Sequence, residues 1–294
     1  MKKRALQASL ILCAILASTV LWAKQNATEA SVTPAEIDAR VEHFLREYYA
    51  WGPAYGVTAE APKPSLVPGL YEVPVKITYQ GQTDGALVYV TQDGHYVFRG
   101  IINSLLGDPF AANMKKLDTA HHPHEGPAKA CVKVAEFFDF ECPHCLAAYK
   151  ALQQIEPRYP QVQFTFINFP LTEIHPWAMT AALAAQCVYE QKPSAYLQMQ
   201  KLIFDNQNDI TPDNAYNKLV GFATQAGLNS QDVQACIASP ATQKTVDADI
   251  ALGQQLNVTS TPTLFVNGRP MVGEDSRMLE QFISYEEAKC QPKN

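Results

Sequence analysis

Two cysteines separated by two residues, in Cys142-Pro143-His144-Cys145, are the part of this sequence best suited to do chemistry. If a helix opens at Cys142, its sulfur lies where unpaired backbone N–H groups and the positive end of the helix dipole converge. That setting favours thiolate over thiol, with pKa values of about 3.5–7.5 against about 8.5 for a free cysteine. Cys145, one turn further on, can close a small disulfide ring yet is shielded by the first turn. The exposed Cys142 sulfur would then exchange with a substrate, and Cys145 would resolve the mixed disulfide. Pro143 fixes the helix start and removes a donor that would be idle there. His144 can place positive charge beside the Cys142 thiolate. The thiolate exists only in the reduced state, so each pKa unit of stabilisation, about 1.4 kcal/mol, makes the disulfide more oxidising. The pair is expected to give its disulfide away.

Metal binding is the competing chemistry. Zinc normally takes a second cysteine pair at similar spacing, and no other CxxC is present. His121, His122 and His124 could bind a metal, but in their Pro/Gly-flanked setting they read as a solvated linker. A purely structural role for so tight a ring would remove little chain entropy. Redox work is therefore the favoured reading, with no metal expected. No cofactor is needed either, because the cysteine pair itself carries the electrons.

The elements that must position these sulfurs fit within 294 residues, enough for one large domain or two ordinary ones. Composition is 47% hydrophobic and 18% charged, and the net charge of −6 with no basic patch argues against a nucleic-acid partner. Lys2, Lys3 and Arg4 precede a largely apolar run to Ala23, so residues 1–23 read as a cleaved secretory signal, with a membrane anchor as the alternative. Removing Cys13 with that segment leaves six of seven cysteines, an even count that suits an oxidising compartment.

Residues 24–112 read as a small α+β domain. Thr33-Pro34-Ala35-Glu36 is a helix start, and the helix is expected to run to about Tyr49. Strands follow over 71–79, 85–91 and 96–101, with Asp93-Gly94 as a hairpin signal. Residues 113–129 are expected to be a linker. From 130 to 294 come a strand (131–140), a helix (143–155), a second strand (162–169) and a helical block at about 176–254. A strand at 263–266, an Asn267-Gly268 turn and a last helix at 276–288 complete it. That order makes an α/β sandwich with a helical insertion.

The run Phe138-Asp139-Phe140-Glu141-Cys142-Pro143-His144-Cys145 resembles the DsbA family of periplasmic disulfide oxidoreductases, whose active site reads CPHC. Val134-Ala135-Glu136-Phe137-Phe138 is similar to that family's first strand. The resemblance implies a thioredoxin-like fold, and makes Glu136 a candidate proton handler beneath the active site. Ser260-Thr261-Pro262-Thr263 resembles the loop of thioredoxin-like proteins in which the proline is cis and faces the cysteines. It implies that Pro262 keeps the loop off the sulfur and that Thr261 offers backbone hydrogen bonds to substrate. A threonine before that proline is more typical of the DsbC and DsbG isomerases. Segments 68–73, 88–94 and 96–100 resemble the dimerisation domain of those isomerases.

Cys187 and Cys236 are a candidate structural disulfide within the insertion, against the alternative of two buried thiols. Cys131 with Cys290 is a further candidate pair that the sequence leaves open. His175 and Trp177 are expected to serve packing. The resulting expectation is a periplasmic thiol–disulfide oxidoreductase working as a net oxidase on cysteine-containing exported proteins. A membrane redox partner of DsbB, VKOR or DsbD type would reset it, and a homodimer could form through the N-terminal domain. The alternatives are an isomerase or reductase of DsbC/DsbG type, a non-catalytic chaperone, and a periplasmic metal carrier.

Overall fold

The computed structural model of the chain describes residues 32–290 apart from 104, 118 and 120. The expected secretory signal lies outside the described residues. The chain divides into two compact units, the first ending at Asn103. Among the described residues no helix is long and apolar enough to cross a membrane.

In the first unit, helix α1 (Pro34–Tyr49) starts as its capping box dictates. The Thr33 hydroxyl accepts from the Glu36 N–H at 3.3 Å, and the Glu36 carboxylate accepts from the Thr33 N–H at 2.7 Å. Ile37, Val41 and Leu45 fall on one face at helical spacing and are buried. They lie on Val57, Val73, Val75, Val88 and Val90 of an antiparallel sheet. Each such side chain contributes at most about 1.5–3 kcal/mol by leaving water. The strands are β1 (Gly56–Ala59), β2 (Lys63–Pro64), β3 (Leu70–Tyr79), β4 (Gln82–Thr91) and β5 (Val97–Arg99). β1 and β2 both pair with β3 and are additional to the expected strands, being too short to show alternation in the sequence. The Asp93-Gly94 signal does turn β4 into β5, with Gly94 at φ +68°.

The second unit is built on a five-stranded sheet of order β10-β9-β7-β8-β6. Its strands are β6 (His124–Glu125), β7 (Lys133–Phe138), β8 (Gln163–Asn168), β9 (Thr263–Val266) and β10 (Arg269–Val272). β7 and β8 run parallel and are joined through helix α3 (Pro143–Ile155), while the other pairs are antiparallel. β7 is central and covered on both faces, which is why it reads as a nearly continuous apolar run. Val134 and Phe138 join Phe164, Phe166, Leu264, the α3 residues Leu152 and Ile155, and Leu279 and Ile283 of helix α9 (Ser276–Cys290). Ala135 and Phe137 face the other side, with Ile167, Phe169, Val258 and Phe265.

The insertion comprises α4 (Ala178–Gln191), α5 (Tyr196–Asp205), α6 (Ala215–Gln225), α7 (Ser230–Ile237) and α8 (Pro240–Gln255). α4 packs against all four of its companions. Its Ala-rich surface, apolar nearly all round, lets them approach closely.

The linker expected over 113–129 is corrected by these elements. Helix α2 (Ala111–Lys116) lies on the β9–β10 hairpin, where Asn113 Nδ2 donates to the Gly268 carbonyl at 3.0 Å. Leu117 is buried beside Phe137 and Phe265. His124–Glu125 is an edge strand on β8. Gly126 holds φ +82°, and a Cβ there would collide with the Val162 carbonyl. The histidines are parted rather than solvated together. His122 Nε2 pairs with the buried Asp249 carboxylate at 2.9 Å, and His124 Nδ1 bonds the His122 carbonyl at 3.0 Å. Among the described residues no group of three metal-ligating side chains forms.

Candidate active site

β7 delivers the chain to the sulfur pair, and α3 begins on it. Cys142 is the N-cap of α3, with extended φ −70° and ψ 124°, and Pro143 is the first helical residue. The Cys142 carbonyl accepts the Cys145 and Leu146 N–H groups at 3.1 and 3.2 Å. Both cysteines are free and buried, Cys142 at 5% exposure and Cys145 at 0%. The expected exposed nucleophile is thus recessed, because the loop before β9 leans over it. The Thr261–Pro262 peptide bond is cis, and Cys142 Sγ lies 3.4 Å from the Thr261 carbonyl.

The two sulfurs differ sharply in acidity. The Cys145 thiol, as hydrogen-bond donor, does most to bring the Cys142 pKa down to about 5, helped by Thr261 and the backbone N–H groups of Cys145 and His144, with burial opposing. Burial pushes the Cys145 thiol far up, reinforced by Cys142 and by the charge of Glu136, while the Asp139 N–H pulls it back. That N–H reaches Cys145 Sγ at 3.3 Å. His144 contributes its backbone N–H. Its exposed imidazole turns to Glu274, with Nδ1 3.3 Å from the carboxylate.

Glu136 sits in the middle of β7, opposite Phe166 on one side and Leu264 on the other. Burial alone lifts its pKa to about 8, so near neutral pH it holds a proton. It lies within electrostatic reach of Cys145.

Three supports went unread in the sequence. Gln207, which follows α5, sends its buried Nε2 to the Phe140 and Cys142 carbonyls at 2.8 and 3.0 Å. Asp139, with a fully buried side chain, accepts His175 Nδ1 at 2.7 Å, so His175 does more than pack. Trp177 is buried as expected, and its N–H donates to Glu141 Oε2 at 2.6 Å. The one available signal was Asp139 itself, a carboxylate in an aromatic run that had to find donors. Replacing Gln207 by alanine is expected to cost about 1–3 kcal/mol, since it takes a donor from two buried carbonyls. The check is a lowered urea midpoint at unchanged slope.

The four other cysteines among the described residues form disulfides away from this pair. Cys187 joins Cys236 between α4 and α7, with Cα atoms 5.8 Å apart. Cys131 joins Cys290, with Cα atoms 6.1 Å apart.

The family model described as thioredoxin matches residues 118–285. Among solved structures, oxidised BdbD from Bacillus subtilis is similar at 23% identity and TM-score 0.51, covering 57% of this chain and 94% of that one. A variant of alpha-DsbA1 from Wolbachia pipientis has 18% identity and TM-score 0.53, covering 61% and 100%. ScsC from Proteus mirabilis in a compact conformation has 20% identity and TM-score 0.52, covering 64% and 84%. At these identities the likeness is one of fold. In sequence, the Na(+)/H(+) antiporter NhaA 3 of Salinispora tropica is 33% identical over 144 residues, which are 49% of this chain and 21% of the antiporter. The chain therefore spans about a fifth of the length of that relative. The thioredoxin match takes in the sulfur pair, the cis-proline loop and the whole helical insertion, more than half of the sequence. On that span the chain belongs to the thioredoxin family.

Proposed function

We propose that this protein is a periplasmic thiol–disulfide oxidoreductase that passes the Cys142–Cys145 disulfide to cysteine-containing exported proteins, working as a net oxidase. The observation that carries the reading is the asymmetry of the two sulfurs. Cys142 is a thiolate above about pH 5, whereas burial keeps Cys145 a thiol. A stable Cys142 thiolate is a good leaving group and favours the reduced pair, so the disulfide is readily given up. The Thr261 backbone would align the substrate strand, Pro262 would hold its loop off the sulfur, and Glu136 would exchange a proton with Cys145. The disulfides Cys131–Cys290 and Cys187–Cys236 fit an oxidising compartment. A membrane partner of DsbB or VKOR type would reoxidise the pair.

An isomerase or reductase of DsbC/DsbG type, reset by a DsbD-type partner, is the second reading. It is favoured by Thr261 and by the first unit. There the sheet face turned away from α1 exposes Leu87 and Phe98, a surface on which two copies could pair. Equilibration with a glutathione buffer separates the two. A reduction potential at or above about −180 mV is expected, whereas a value near the −270 mV typical of thioredoxin would turn the assignment to a reductase.

A further inference from the structure

The oxidative half of this exchange has a leaving group, and it is Cys145. A substrate thiolate attacks Cys142 Sγ of the oxidised pair. The Cys142–Cys145 bond breaks, a substrate–Cys142 disulfide forms, and the electron pair departs on Cys145 as a thiolate that later takes up a proton. The substrate's second thiolate then displaces Cys142, so the substrate is oxidised by two electrons and the pair is reduced. Charge thus develops on a sulfur with no exposure to solvent, where an unpartnered thiolate is costly.

The donor aimed at that sulfur is the Asp139 N–H, at 3.3 Å. Its direction depends on the Asp139 side chain, which is itself clamped by three donors. Oδ1 accepts the Glu141 N–H at 2.8 Å, and Oδ2 accepts the Leu171 N–H at 2.8 Å and His175 Nδ1 at 2.7 Å. Two of the three come from the segment after β8. That segment is stitched back in turn, through the Phe169 N–H to the Phe138 carbonyl at 2.8 Å and the Trp177 N–H to Glu141. The turn before the sulfur pair is therefore held by a strap roughly thirty residues further along the chain, and His175 is the strap's one side-chain donor to Asp139.

We propose that Asp139 and His175 form a positioning pair that aims the Asp139 N–H at the Cys145 sulfur and stabilises the thiolate released when the disulfide is passed on. The proposal deepens the exchange reading above and rests on it. A bond from a fixed donor to an ionised acceptor is about twice as strong as a neutral one. The pair should therefore matter most at the moment Cys145 leaves.

The test uses the full chain, oxidised with glutathione disulfide and then mixed with excess reduced glutathione. His175→Ala is expected to slow the loss of the Cys142–Cys145 disulfide about tenfold. His175→Asn, which keeps an N–H near the Nδ1 position, is expected to restore the rate to within about twofold. The Cys142 pKa of the reduced protein, followed by thiolate absorbance, should be the same in all three. A merely structural staple would move that value together with the rate. An unchanged rate in His175→Ala, equal slowing in both variants, or a parallel shift of Cys142 would overturn the proposal. In a Cys142→Ala background, alkylation of Cys145 should also be slower with His175→Ala, and faster alkylation would overturn it. If the unaltered chain fails to oxidise a reduced peptide, the exchange reading falls by itself, and Cys145 alkylation still decides the role of the pair.

Discussion

Serine in place of Cys142 is expected to abolish catalysed disulfide exchange, lowering the rate by a factor of about a thousand or more. The hydrogen bonds that bring the Cys142 pKa from 9.0 to about 5 cannot ionise a hydroxyl, and an oxygen at this position can form no disulfide with substrate. Cys145→Ser should behave differently. It keeps the nucleophile but removes the resolving sulfur, so mixed disulfides with substrate should accumulate and be visible on non-reducing gels. The Cys142→Ser variant also separates an enzyme from a chaperone. A binding protein using the same cleft would suppress aggregation of a reduced client equally well with or without that substitution, and would show no exchange in the unaltered form.

The second large effect concerns stability and its dependence on pH. In the reduced protein Cys142 titrates near 5 when folded and near 9.0 when unfolded. A depressed folded pKa contributes stability that is fully present above about pH 9, declines as pH falls, and is gone below about pH 5. Without screening the slope between those limits would approach about 1.4 kcal/mol per pH unit; solvent screening at the outer side of the sulfur lowers it to about 0.7, a swing of about 3 kcal/mol in all. The oxidised protein has no such term. It gains instead about 2 kcal/mol from the small ring that constrains its unfolded chain. Below pH 5 the oxidised form should be the more stable, and above neutrality the reduced form, with the order inverting at about pH 7–8. The raised pKa of Glu136 acts with the opposite sign, removing stability from the reduced protein as pH rises toward about 8. Urea titrations of the two forms across this range check the claim. A difference that does not vary with pH would mean that Cys142 is not ionised in the folded protein.

What could be read in the sequence was what is written locally. The capping box at Thr33–Glu36, the Asp93-Gly94 and Asn267-Gly268 turns and the apolar run of β7 each depend on residues a few positions apart, and each lies where it was expected. The sulfur pair was found because its spacing is itself the signal, and the cis proline because Ser260-Thr261-Pro262-Thr263 resembles the loop of thioredoxin-like proteins. The rest depends on partners far along the chain. Asp139 and His175 are 36 residues apart, and Gln207 lies 65 residues beyond Cys142. His144 meets Glu274 across 130 residues, and nothing near it in the sequence pointed to that partner. The stretch around His124 looked like a linker because a two-residue edge strand leaves no alternation to detect, and its pairing with β8 is a tertiary event. In the same way Cys131 and Cys290 offered no local reason to be joined, with a sequence separation of 159.

That last bond changes how the second unit would carry a mechanical load. A pull applied to the chain on either side of it enters at Cys131 and leaves at Cys290, directly through the covalent bridge. The intervening residues, which include the central strand, the insertion and both working sulfurs, hang as a closed loop outside the line of force. Tension on the chain would stretch what lies before Cys131 and leave the chemistry untouched. A single peptide cut inside the loop would likewise leave one covalently continuous molecule.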